Sequence, residues 1–142
     1  MVATFIMVGW DLCRDPGSST IGRIWVWHDG GPYFGVPFVN YLGWCLTVLL
    51  FLAAFSLYRA RWPEPERTMP AGWWYQACAL FAVMALDYPA GYLGIENRAV
   101  TDLTGRVWQT TNILITAAIA SLFTMLFVAV TCLFVLLLRR RA

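Results

Sequence analysis

Three aspartates and one asparagine stand out because each lies within or beside a long apolar stretch. Asp11 and Asp15 follow an apolar amino end, Asn40 lies near the start of a second stretch, and Asp87 lies inside a third. An ionised carboxylate within a membrane span costs several kcal/mol unless it is paired or neutral. Burial raises the pKa of a carboxyl group, so such a side chain can keep its proton and act as an acid.

Asp87 has two interpretations that the sequence leaves open. In the first, it is a functional carboxyl group, protonated or paired inside a helix bundle. Its candidate partners are Arg98, Arg106 and Asn112. In the second, Asp87 together with Pro89 and Gly91 only stabilises a kinked helix end.

Aromatic residues gather in the segment from Asp11 to Pro37, which is also rich in glycine. Trp25, Trp27, Tyr33 and Phe34 suit an aromatic belt at the level of the lipid headgroups. The segment is therefore predicted to be a loop that lies in the membrane interface. A binding role for the individual tryptophans is the alternative.

Long helices are needed to position these side chains. The chain is 60% hydrophobic and only 13% charged over 142 residues, far from the average of soluble proteins. Segments 38–58, 73–95 and 113–138 each supply the roughly 20 mostly apolar residues that a spanning helix requires. Residues 1–10 are apolar but too few to cross. The predicted fold is thus all-α: a single domain over residues 1–142, a polytopic membrane bundle with three full transmembrane helices, a short amino-terminal helix stub and an interfacial loop over residues 11–37.

Arginines indicate how this bundle is oriented. The chain has ten arginines and no lysine. Two groups of arginines lie on the same side of the membrane if there are three spans, namely Arg59 to Arg67 and Arg139 to Arg141. The positive-inside rule places that side in the cytoplasm. A carboxyl terminus in the cytoplasm follows, with Asp11, Asp15 and Asp87 in the opposite layer. They are predicted to form one polar pocket under the loop from Trp25 to Tyr33.

Composition argues against other classes of site. A formal charge of +2 is too small to indicate a nucleic-acid partner. His28 is the single histidine, and the four cysteines include no Cys-x-x-Cys pair, so a Cys/His zinc site is not expected.

Three strings between Asp11 and Trp44 resemble the integral-membrane carotenoid hydratases, carotenoid biosynthesis proteins of the bacterioruberin and γ-carotene pathways. The strings are Asp11-Leu12-x-x-Asp15-Pro16, Trp25-x-Trp27 and Tyr33-Phe34-Gly35-Val36-Pro37-x-x-Asn40-Tyr41-x-Gly43-Trp44. Members of this family are typically about twice as long, so the chain is expected to correspond to their carboxyl-terminal half. The resemblance implies hydration of a terminal double bond of a linear carotenoid in a bacterial inner membrane, without a redox cofactor.

The chemistry of such a hydration suggests roles for the residues. A trisubstituted alkene is a poor base and needs a strong, positioned acid, for which Asp11, Asp15 and Asp87 are the candidates. Aromatic faces stabilise the tertiary carbocation that results. Candidate substrate-binding residues are Trp25, Trp27, Tyr33, Asn40 and Trp44, with Asn40 holding the water.

Two hypotheses follow. In the first, the chain is half of an enzyme and requires another membrane protein or a missing amino-terminal half as its partner. In the second, it is a non-enzymatic accessory subunit of a larger membrane complex, such as a photosynthetic one, that binds a carotenoid but has lost the chemistry.

Overall fold

A computed structural model describes residues 1–65 and 69–141, with side chains up to Arg139. The predicted orientation partly depends on arginines that lie outside the described residues, namely Arg67 and the side chains of Arg140 and Arg141. The protein is mostly helical. Its elements are α1 (Val2–Pro16), a π-helical segment π1 (Gly17–Ile21), α2 (Phe38–Arg61), α3 (Ala71–Leu93), β1 (Ala99–Thr101), β2 (Val107–Gln109), α4 (Thr110–Ser121), a second π-helical segment π2 (Leu122–Leu126) and α5 (Phe127–Arg141).

Two helices are long and apolar enough to cross a membrane within the described residues. They are α2 and the continuous helix α4–π2–α5, with mean hydropathy of 2.0 and 2.7 in their most apolar windows. Only 6% and 17% of the residues in those windows are buried, whereas the core helix of a soluble protein would be mostly buried. Both therefore fit helices that contact lipid, and both coincide with predicted spans.

The third predicted span, 73–95, is helical but is not among these two. Helix α3 has 23 residues and begins directly after Pro70, which cannot donate an amide hydrogen bond to a preceding turn. It ends at Leu93 rather than Ile95, with Gly94 as its cap. Gln76 and Asp87 lower its hydropathy, so its crossing of the bilayer stays a prediction.

The prediction of a loop over residues 11–37 is wrong for its first part. Helix α1 continues to Pro16, and the chain then makes a π-helical turn to Ile21, so the loop spans residues 22–37. Pro16 is compatible with this helix because it removes only one helical hydrogen bond, the one to the carbonyl of Leu12. Tyr33 replaces it, since its hydroxyl donates to that carbonyl at 3.2 Å.

A small antiparallel hairpin, β1–β2, also departs from the all-α prediction. Asp102 accepts hydrogen bonds at its turn from Thr104, from the Arg106 amide and from the Trp108 indole, at 2.7–3.0 Å. Desolvation acts to raise the pKa of Asp102, but these hydrogen bonds together outweigh it and lower the pKa. The hairpin supports the loop over residues 22–37, because Phe34 packs edge-on against Trp108 and Arg23 donates to the carbonyl of Thr101.

Helix α1 occupies the centre of the bundle. It packs against α2 on one side and against α4 and π2 on the other, while α3 packs against α4 and α5. Cys13, Ala85 and Met125 form the buried cluster where α1, α3 and π2 meet. Helix α2 has α1 as its main neighbour, which leaves most of its apolar surface exposed.

Candidate functional site

The polar centre of the protein is a pair of buried carboxyl groups on α1. Asp11 and Asp15 are one helical turn apart and therefore share a face of α1. Their side chains are 5% and 3% exposed. The amide nitrogen of Asn40, on the first turn of α2, donates to Asp11 Oδ2 at 3.1 Å and to Asp15 Oδ2 at 2.5 Å. One side chain of α2 thus holds both carboxyl groups of α1.

Burial makes full ionisation of this pair unfavourable. It raises the pKa of Asp11 to about 7, and the charge of Asp15 adds to the increase while the Asn40 hydrogen bond opposes it. Burial also raises the pKa of Asp15, against hydrogen bonds from Asp11 and Asn40. Two like charges this close in a low-dielectric site favour a single shared proton. The pair can therefore supply a proton near neutral pH.

Local structure beyond Asp15 fixes the pair in place. The hydroxyl of Ser19 in π1 donates to the carbonyl of Asp15 at 2.8 Å, and Thr20 donates to the carbonyl of Phe34 at 2.5 Å. These bonds tie the end of α1 to the aromatic loop. Gly31 allows the loop to close, because a Cβ atom there would lie 2.0 Å from the carbonyl oxygen of Val36.

A groove beside α2 reaches the carboxyl pair through Asn40. It has a volume of about 280 Å³. Its lining includes three of the predicted substrate-binding residues, namely Trp27, Asn40 and Trp44, together with Val39, Gly43 and Thr47. Because the groove is open and mostly apolar, it can hold one end of an apolar molecule next to the polar group of Asn40.

The other two predicted substrate-binding residues lie elsewhere. Tyr33 is half-buried beneath the loop, and its ring meets that of Tyr41 edge-on with 5.8 Å between centroids. Burial raises the pKa of Tyr33 to about 12, so its hydroxyl stays neutral. Trp25 is 38% exposed and is not part of the groove lining.

Asp87 does not join the carboxyl pair. It is exposed on the surface of α3, and no hydrogen bond or ion pair links it to Arg98, Arg106 or Asn112 in the described part of the chain. The predicted pocket of three aspartates is therefore wrong, and only Asp11 and Asp15 come together. The physical reason is the direction of the helix face: Ala85, and not Asp87, is the residue of α3 that packs against Cys13 of α1.

Tyr41 is a site residue that the sequence did not single out. It is 5% exposed, and its hydroxyl is buried without a hydrogen-bond partner among the described residues. Its ring lies against Tyr33, whose own hydroxyl donates to the carbonyl of Leu12, next to Asp11. The sequence offered no signal for it, because an aromatic residue in an apolar helix is normal.

Two apolar clefts flank the amino-terminal half of α1. The larger, about 380 Å³, opens between α1 and π2, and its lining includes Phe5, Leu12, Phe81, Phe123 and Phe127. The smaller, about 330 Å³, lies on the other side of Ile6 and Phe81 and includes Trp10 and Met84. Both have the apolar walls that a hydrocarbon chain needs.

No cluster of three or more histidine, cysteine, aspartate or glutamate side chains that could hold a metal ion occurs among the residues that the structure describes. Their four cysteines are free thiols.

Comparison with known proteins gives one match. The family model described as "Carotenoid biosynthesis protein" matches residues 1–86, which include α1, the aromatic loop, α2 and most of α3. No curated protein and no solved structure matches the chain.

Proposed function

Because the chain belongs to the carotenoid biosynthesis protein family, we propose that it is a membrane carotenoid hydratase, or half of one. It adds water to a terminal double bond of a linear carotenoid without a cofactor. The observation that carries this proposal is the buried Asp11–Asp15 pair, held by Asn40 at the edge of a tryptophan-lined groove. A proton donor inside an otherwise apolar bundle is what hydration of an unactivated alkene requires.

The carboxyl pair alone can supply the proton that the reaction consumes and take up the proton that it releases. The shared proton moves to the less substituted carbon of the double bond, whose π electrons form the new C–H bond. The other carbon becomes a tertiary cation. A water oxygen attacks this cation, and the surplus proton on that oxygen returns to the carboxylate. The pair ends in its starting protonation state, so no oxidant, reductant or metal takes part.

The aromatic residues of the groove would stabilise the cation that this reaction forms. Trp27 and Trp44 face the groove next to Asn40, where the end of the polyene would lie. The faces of such rings carry negative electrostatic potential and stabilise a nearby cation. They also keep bulk water away, so only a held water reaches the cation. Trp25 is exposed outside this groove and has no part in the proposed site.

The proposed setting is a bacterial inner membrane. Helix α2, α3 and α4–π2–α5 would cross it, with the carboxyl terminus in the cytoplasm. The carboxyl pair would then lie towards the opposite side. A second membrane protein would cover the apolar surface of α2, which packs mainly on α1 within the described chain.

Expression in a bacterial host that accumulates lycopene tests the function. The host would carry the chain alone or together with the products of neighbouring reading frames. Mass analysis of extracted carotenoids should show the gain of one water, and the Asp15→Asn variant should not produce it. Failure of every combination to form a hydrated carotenoid would rule out the hydratase.

The apolar clefts beside α1 favour a second candidate function. An accessory subunit that binds carotenoid without chemistry would need only such clefts, which have apolar walls and share Phe81. Purification from the same host separates the two functions. Unmodified carotenoid that co-purifies with the protein, and is lost in a Phe81→Asp variant, would support the accessory role if no hydrated product forms.

A further inference from the structure

The hydroxyl of Tyr41 is buried beside the carboxyl pair, yet nothing in the described chain satisfies it. Its oxygen is inaccessible to solvent and has no hydrogen-bond partner. A buried hydroxyl without a partner is unfavourable, and such groups are usually satisfied by an ordered water. The tyrosine ring itself is well packed against Tyr33. The hydroxyl, rather than the ring, is the unexplained part of this residue.

The surroundings of this hydroxyl contain further unused hydrogen-bonding groups. Asp11 and Asp15 both accept from Asn40 through Oδ2. Tyr41 packs on Tyr33, whose hydroxyl donates to the carbonyl of Leu12 next to Asp11, but among the described residues no direct hydrogen bond joins the Tyr41 hydroxyl to either carboxyl group. Polar groups that interact across more than hydrogen-bond distance are commonly bridged by a water molecule. A buried water needs two to four polar partners, and a water between the Tyr41 hydroxyl and the two carboxyl groups would have them.

We propose that Tyr41 is a positioning residue that holds, together with the Asp11–Asp15 pair, the water molecule that is added to the substrate. This inference rests on the proposed hydratase function, and it assigns a binding site to water, the second reactant. The tyrosine hydroxyl accepts a hydrogen bond from the water or donates one to it. A carboxylate oxygen orients the water and takes its proton once the C–O bond has formed.

The position of Tyr41 suits this role. Tyr41 follows Asn40 on α2. Asn40 lines the groove and donates to both carboxyl groups, so it connects the groove to the carboxyl pair beside which Tyr41 lies. A cation generated next to Asn40 would meet a water that is already oriented. Without that water, the cation can only lose a proton and return to an alkene. Tyr41 therefore determines the fate of the cation and not its formation.

Hydration in heavy water separates these two steps. Membranes that contain the protein are incubated with lycopene in D₂O, and deuterium is measured in the hydrated product and in the recovered substrate. In the wild-type protein most cations are captured, so deuterium enters the product. In Tyr41→Phe we expect hydration to fall by about 10- to 100-fold, as for the loss of a positioning group. Deuterium should then accumulate in the recovered lycopene or its double-bond isomers.

A matched control lies on the same helix. Tyr58 is 52% exposed near the far end of α2, so Tyr58→Phe should leave the ratio of exchange to hydration unchanged. Retained exchange in Tyr41→Phe also shows that the acid site is folded.

Two outcomes would overturn the inference while the hydratase function stands. One is normal hydration in Tyr41→Phe, and the other is the loss of exchange and hydration together. If the wild-type protein shows neither reaction, the hydratase proposal fails and the role of Tyr41 fails with it.

Discussion

At the scale of single residues, two carboxyl groups of the same type and burial are expected to share one proton. Replacing Asp15 by Asn removes the proton but keeps the shape and the hydrogen bond to Asn40. Asp15→Asn and Asp11→Asn should each reduce water addition by at least about 100-fold, the lower end of the range for general acids. Asp87→Asn is the matched control and should keep full activity, because Asp87 is exposed on α3. Product analysis by mass spectrometry measures all three, and hydration that persists in both Asp11→Asn and Asp15→Asn would end the acid-catalysis hypothesis.

The same pair predicts how activity depends on pH. The pKa of Asp11 is raised from 3.8 to about 7. Its proton is present below about 7 and is lost as the pH rises through that value, so hydration should decline from pH 6 to pH 8. Stability should change in the same direction, because the folded protein retains a proton that the unfolded chain releases above pH 3.8. Initial rates in buffered vesicles check this, and a rate that rises across this range would contradict it.

Sequence reasoning located part of this site and missed the rest for definable reasons. Asp11, Asp15 and Asn40 were identifiable because polar residues are rare in apolar stretches. Tyr41 was not identifiable, since an aromatic residue in an apolar helix is normal and only the structure shows its hydroxyl without a partner. Asp87 was misplaced because span boundaries give the depth of a residue but not the direction in which its helix face points.

At the scale of elements, the aromatic loop depends on the absence of a side chain at Gly31. A Cβ atom there would lie 2.0 Å from the Val36 carbonyl oxygen, which is far inside van der Waals contact. Gly31→Ala should therefore destabilise the folded protein by about 1–3 kcal/mol, as overpacking does. It should also disturb the groove, because the loop supplies Trp27 to the groove lining. Gly72→Ala is the control, since its Cβ atom would meet nothing within 4 Å. Thermal unfolding in detergent compares them, and equal midpoints would show that the loop rearranges freely.

The elements also show what an apolar pattern can and cannot predict. Helices α2 and α3 begin directly after Pro37 and Pro70, so their starts were close to the predicted ones. The continuation of α1 to Pro16, with π1 directly after it, was not predictable, because the hydroxyl that satisfies the carbonyl of Leu12 comes from Tyr33, which is distant in sequence. The β1–β2 hairpin was missed because its strands have three residues each, too few to show an alternating pattern.

At the scale of the whole molecule, the three predicted spans put the two ends of the bundle on opposite sides of the membrane. Glu64 follows α2, and Leu103 lies at the exposed turn of the hairpin. Cysteines introduced at these positions should react with a membrane-impermeant maleimide from opposite sides: Glu64→Cys only in inverted vesicles and Leu103→Cys only in intact spheroplasts. The four native cysteines can also react, so labelling of the protein without an introduced cysteine is measured as the background. Labelling of both sites from the same side would refute the topology.

The two π-helical segments have a consequence for how the chain tolerates changes in length. A π turn accommodates one residue more than an α turn, and each residue of an α-helix accounts for about 100° of rotation. Deleting one residue from π2 would therefore let α4 and α5 join as a regular helix, while the residues on either side keep the faces that they present to α1 and α3. Deleting one residue from the regular part of α4 would instead turn everything after it by that angle, and Thr124, whose hydroxyl oxygen would lie 3.6 Å from a Cβ atom at Gly9, would point elsewhere. The π segment is thus the point where this helix can lose one residue without rotating its carboxyl-terminal half against α1 and α3.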